Sequence, residues 1–134
     1  MIIGLDFDGT CTTHDYPNIG RDIGAVPVLK KIVAAGHDIM LWSMRGNKPL
    51  EDGGINTLQD AVDWLTNHDI PLWGINENPE QTQQGWTNSN KQYAQLYIDD
   101  ATLGCPLIFD PNFHPRPFVN WAEVETMLKQ RNII

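Results

Sequence analysis

Apolar and polar residues succeed one another along this chain in blocks rather than one by one. "IIGLDF" at the start is a short apolar run ended by Asp8-Gly9, the pattern of a buried strand that runs into a turn. Residues 10–24 carry Pro17, Gly20, Gly24 and many polar side chains, and read as a loop or small hairpin. From Ala25 onward Val26, Leu29, Ile32 and Val33 recur at helical spacing as far as Gly36, a good helix stop. "HDIMLWS" is a second apolar run and breaks at "MRGNKPLEDGG", a surface loop by its glycines, proline and charges. Thr57 is placed to cap a second helix, with Leu58, Ala61, Val62 and Leu65 on one face and Asn67-His68 at its end.

"IPLWGI" predicts a third strand with Pro71 at its start, where a missing N–H does no harm. "NENPEQTQQGWTNSN" is too rich in Asn, Gln, Pro and Gly for a core element and predicts an ordered excursion anchored by Trp86. "AQLYIDD" predicts a fourth strand that ends on two acids, "CPLIF" a short fifth, and "VNWAEVETMLKQR" a closing helix with Trp121, Val124 and Leu128 inward. Apolar strands that lack strict alternation, interleaved with helices, predict an α/β fold: a mainly parallel sheet of about five strands, covered on both faces, in one domain spanning 1–134. Such sheets collect ligands at the carboxyl ends of their strands. Here those ends carry Asp6 and Asp8, then Ser43, then Asp99 with Asp100.

Composition narrows the partners. Seventeen acidic residues against 9 basic ones give a net charge of -8, which argues against broad nucleic-acid binding and against anionic membrane surfaces. Cys11 and Cys105 are too few for a disulfide framework and lack metal-ligand spacing, so the expected compartment is a reducing cytoplasm. No signal-peptide pattern and no long apolar segment stand in the chain, which predicts a soluble protein. His37 and His68 flank helix ends and read as structural, and Trp42, Trp64, Trp73 and Trp121 read as core.

The polar residues at the strand ends suit phosphoryl transfer, which needs a nucleophile, a cation and donors for the transferred oxygens. Asp6 is the candidate nucleophile, able to form an aspartyl-phosphate. Asp99 and Asp100 are candidate oxygen ligands for Mg2+. Ser43 and Lys91 would donate to the phosphoryl oxygens, and Asp8 would serve as general acid and base. Taken singly, each residue has a plainer explanation: an Asp-Gly turn, a serine bonded to its own backbone, a solvated lysine, a helix-capping aspartate. Their occurrence together is what a chance turn would not produce. Arg45, two residues beyond Ser43, is a candidate for a substrate phosphate, and His14 and Tyr16 on the presumed hairpin are candidate substrate contacts.

"DFDGT" at Asp6 to Thr10, Ser43 closing "IMLWS", Lys91 in "SNKQYA" and Asp99-Asp100 closing "LYIDD" resemble, in content and in order, the four motifs of the haloacid-dehalogenase-like (HAD) phosphohydrolase superfamily. The resemblance implies a three-layer Rossmann-like fold with a small hairpin or flap after the first strand. It implies Mg2+ held by Asp6, by the backbone carbonyl of Asp8 and by an acid of the last motif, with Thr10 positioning the acid/base loop. The bare Asp99-Asp100 pair leaves open which of the two meets the metal. Neither connecting segment is long enough for a cap domain, so the chain resembles a capless or minimally capped member; such members either accept large substrates or borrow a lid from a neighbouring subunit, as within a homodimer, and the size of the phosphorylated substrate stays open. Two other functions compete: a catalytically idle relative that binds a metal or a partner, and a signalling receiver domain. The receiver expects its aspartate at the end of a middle strand, where "IMLWS" and "IPLWGI" have none.

Overall fold

The computed structural model of the chain describes residues 1–47 and 56–134, so most of the surface loop expected after Ser43 lies outside the described residues. Strand β1 (Ile2–Leu5) is followed by helix α1 (Ala25–Ala34), strand β2 (Asp38–Leu41), helix α2 (Thr57–Asn67) and strand β3 (Gly74–Ile75). Helix α3 (Pro79–Gln84) and strand β4 (Leu96–Ile98) come next, then β5 (Leu107–Ile108), β6 (Phe118–Val119) and helix α4 (Trp121–Gln130). The central sheet has the order β3-β2-β1-β4, and each of its pairings is parallel. The α/β architecture with a mainly parallel sheet expected from the apolar blocks is present, and it is compatible with the Rossmann-like fold that the resemblance implies. The "CPLIF" strand leaves that sheet, however, and pairs antiparallel with β6, so the central sheet has 4 strands.

Strand alternation divides the core. Ile3 and Leu5 lie opposite Ile39 and Leu41 on one side and Leu96 and Ile98 on the other. Facing the same way, they join the buried stripes of α1 (Val28, Leu29, Ile32), α2 (Leu58, Ala61, Leu65) and α4 (Trp121, Val124, Leu128) in one cluster. Val26 and Val33, expected on the inner face of α1, pack half-buried at the edge of that stripe. On the opposite face, Gly4 is needed because a Cβ there would stand 2.6 Å from the ring of Tyr97. The Tyr97 hydroxyl in turn donates to the carbonyl of Gln92, tying the 76–95 excursion to this face.

That excursion is ordered by amides rather than by its tryptophan. Asn78 is fully buried and caps α3 through the amide of Gln81, and Gln81 accepts from the backbone of Tyr93 and donates to the carbonyl of Lys91. Trp86, the expected anchor, is 46% exposed; its ring meets Tyr93, itself exposed, edge to face, and its indole donates to the Gln84 side chain. Buried amides can order a polar segment when each of their groups finds a partner. Asn56 rather than Thr57 caps α2, accepting from the amide of Gln59, while Thr57 is buried as the first helical residue. His37 and His68 are structural as expected, bonded to the carbonyls of Ile133 and Trp64. No helix among the described residues is long and apolar enough to cross a membrane.

Candidate active site

The order of the strands reverses at β1, which has β2 on one side and β4 on the other. In a parallel sheet the loops leaving such a point diverge to opposite faces and leave a crevice between them. The residues after β1, β2 and β4 meet there. A cleft of about 530 Å³ is lined by Asp6, Asp8, His14, Tyr16, Ser43, Arg45, Asp99, Asp100 and Arg116, among others. It continues into a second recess that shares Asp6, Ser43 and Asp99 and adds Trp42 and Asn76.

Asp6 prolongs β1, its amide bonded to the carbonyl of Ile98, so its carboxyl projects from the very edge of the sheet. Thr10, one tight turn on, donates its hydroxyl to Asp6 Oδ2 at 2.7 Å and accepts from the amide of Asp100 at 3.0 Å. One buried hydroxyl thus ties the first and last motifs together. Carboxylate oxygens of Asp6, Asp99 and Asp100 lie within 4.8 Å of one another. Burial pushes the carboxyl of Asp6 up to about 7; the Thr10 and Phe7 hydrogen bonds oppose the rise, and Asp99 and Asp100 add to it.

The turn that carries these groups depends on Gly9. Its φ is +79°, and a Cβ there would fall 2.1 Å from His14 Nε2 and 2.6 Å from Asp100 Oδ2. The missing side chain lets His14 reach Asp100, and their Nε2 and Oδ2 atoms are 2.7 Å apart. His14 therefore stands on the last motif as well as at the cleft wall. Tyr16, 54% exposed, lines the cleft. The expected flap between β1 and α1 is a compact loop closed by an antiparallel bridge between Thr12 and Asp22.

Ser43 lies beyond the end of β2 with its amide bonded to Asn76 Oδ1, and its Oγ accepts from the amide of Arg45 at 3.1 Å. Because the backbone donates to it, the serine's own proton remains available for another acceptor. Asn76 holds this turn from both ends, donating to the carbonyl of Arg45, and adopts a positive φ of 50°. The sequence reading missed Asn76; its signal is an asparagine just past the third strand, a residue that tolerates left-handed backbone.

Of two expected phosphate contacts, Arg45 lines the cleft with its guanidinium engaged, and Lys91 lies away from it. Arg45 is 2% exposed, and its guanidinium binds both oxygens of Asp8 and the carbonyls of Pro17, Asn18 and Thr57. That uses every N–H the group possesses, so none is left for a substrate phosphate. Lys91 belongs to the excursion that covers the far side of the sheet; it is exposed and is not among the residues that line the cleft. Arg116, which the sequence reading passed over, lines the cleft instead.

Fold and site together define an α/β protein with an acidic centre at the switch point of a parallel sheet. Among solved structures the chain is similar to a conserved protein of Bacteroides thetaiotaomicron, at 30% identity over 98% of this chain and 91% of the other, with a TM-score of 0.72. By that identity and coverage, the chain belongs to the same family as this conserved protein. No family model and no curated protein matches it.

Proposed function

We propose that the protein is a Mg2+-dependent phosphohydrolase of the HAD type that cleaves a phosphomonoester through an aspartyl-phosphate on Asp6. The observation that carries this reading is the meeting of Asp6, Asp99 and Asp100 within 4.8 Å at the carboxyl edge of the sheet, with Thr10 bridging them and Ser43 across the cleft. An all-oxygen donor set of carboxylates fits a hard cation, and Asp99 and Asp100, which add to the rise that burial causes in the Asp6 carboxyl, leave negative charge for such a cation to offset. Asp6, Asp99 and Asp100, with the backbone carbonyl of Asp8, would hold Mg2+, which when bound neutralises charge on the site and on the phosphate.

Asp6 attacks phosphorus with a carboxylate oxygen while the ester P–O bond breaks, and a proton goes to the departing oxygen. Water then cleaves the acyl-phosphate, releasing inorganic phosphate and restoring Asp6. Thr10 orients the Asp6 carboxyl, and Ser43 donates to a phosphoryl oxygen. Asp8 is the general acid and base, a role that requires its pair with Arg45 to open. The cleft volume suits a small ester bound without a cap. Net charge and cysteine usage support a cytoplasmic site of action, and a homodimer is the assembly to test for.

The closed Asp8–Arg45 pair also favours a second reading, a relative that binds the cation without turnover. Hydrolysis of 4-nitrophenyl phosphate, with and without Mg2+, decides between them. The first reading expects Mg2+-dependent release that Asp6→Asn abolishes. Cation binding without release would support the second.

A further inference from the structure

An anionic substrate entering this cleft meets the carboxylates of Asp6, Asp99 and Asp100, besides that of Asp8, which Arg45 pairs. One divalent cation offsets part of that charge, and a phosphate ester adds more of its own. A cationic side chain is therefore needed at the cleft. Arg45 is 2% exposed and is held by the carbonyls of Pro17, Asn18 and Thr57 whether or not its pair with Asp8 is closed, and Lys91 does not line the cleft. Resting on the phosphohydrolase reading, we infer that Arg116 is the residue that receives the substrate's phosphoryl group.

Arg116 is exposed, lines the cleft, and among the described residues its guanidinium makes no hydrogen bond or ion pair; only its backbone is bonded, to His114. A planar guanidinium with free donors suits phosphate oxygens, which it can grip in pairs.

The backbone that carries Arg116 is tied to the nucleophile loop. It stands between β5 and β6, and the amide of Val119 donates to the carbonyl of Gly9 at 2.9 Å. The indole of Trp121 donates to the carbonyl of Thr10 at 2.7 Å. On the other side Arg21 stacks on the ring of Phe113, 3.8 Å from its centroid, and donates to the Phe113 carbonyl, which pins the turn to the loop after β1. Arg116 is also flanked by Pro115 and Pro117, which restrict the backbone on both sides of it. These ties hold the turn that carries Arg116 beside the loop after β1.

The test measures binding of inorganic phosphate by calorimetry in the presence of Mg2+, together with kcat and KM for 4-nitrophenyl phosphate. Arg116→Ala should weaken phosphate binding and raise KM by about 10-fold or more, the loss of a charge-assisted contact. Arg116→Lys should recover part of the loss, and Arg131→Ala, which removes an exposed charge outside the cleft, should stay within about twofold. Phosphate binding by Arg116→Ala within about twofold of the parent, or no phosphate binding by the parent itself, overturns the inference. The underlying reading fails separately, if Asp6→Asn turns over like the parent, whatever Arg116→Ala does.

Discussion

Arg45 grips both carboxylate oxygens of Asp8, Nε to Oδ2 and Nη2 to Oδ1, each at 2.8 Å, across 37 residues of sequence. The same guanidinium collects carbonyls from the loop after β1 and from the start of α2, and lies 5.0 Å from the ring centroid of Phe7. It is a structural knot as much as a wall of the cleft.

Breaking that knot should be costly. Arg45→Met removes the partner of Asp8 and leaves three carbonyls short of a donor, so urea unfolding should report a loss of about 3–5 kcal/mol. Arg45→Lys keeps the charge but not the fork, and should recover less than half of it. A loss below about 1 kcal/mol for Arg45→Met would mean that the network contributes little to the fold.

The proton on Asp6 makes ion-free stability depend on pH. Its carboxyl titrates at about 7 in the folded protein against 3.8 for the free group, because burial disfavours the anion. Between those values the folded state binds more protons than the unfolded chain, so stability is complete below the lower value and is lost as pH rises through the higher one. Asp6→Asn carries no charge to desolvate. In chelator it should exceed the parent in stability by up to about 4 kcal/mol near pH 8 and match it near pH 4. An equal pH slope in the two proteins would remove Asp6 as the source.

Gly9→Ala tests the tight turn without removing a polar group. The added methyl meets the ends of His14 and Asp100, and alanine is strained at a φ of +79°. The expected outcome is a stability loss of about 1–3 kcal/mol with a fall in kcat of about 100-fold, since the loop bearing Asp8 and Thr10 must shift. Full activity in Gly9→Ala would show that the His14–Asp100 contact is dispensable.

Much of this arrangement was legible in local pattern. The apolar blocks gave the parallel sheet and its helices, and the strand ends pointed to Asp6, Ser43, Asp99 and Asp100, because strand termini are set by nearby residues. What was hidden depends on distant partners. Nothing near Arg45 says that Asp8, Pro17, Asn18 and Thr57 will absorb its donors, and nothing near Leu107 says that its strand will pair with Phe118 rather than extend the central sheet. Lys91 follows the order of motifs but rides on a segment whose path is decided by the buried Asn78 and Gln81, two amides that composition alone assigns to the surface.

Cation binding should be visible as stability before any turnover is measured. A ligand that binds only the folded state stabilises it by RT ln(1 + [L]/Kd), about 3 kcal/mol at a hundredfold excess over Kd. For a domain of this size that corresponds to a rise in Tm of about 10 °C. Asp99 and Asp100 enter the acidic cluster with different local bonds: Asp99 Oδ1 accepts from the amide of Ala101 at 2.8 Å, whereas Asp100 Oδ2 meets His14 and its Oδ1 is 3.5 Å from the Thr10 hydroxyl. Asp99→Asn and Asp100→Asn should each cut the Mg2+-induced shift at least by half, and the larger loss identifies the direct ligand. Asp6→Asn should cut it too, while raising Tm in chelator at high pH, so the two effects of that one substitution have opposite signs. A Tm that Mg2+ leaves unmoved in the parent protein would remove the cation from the site.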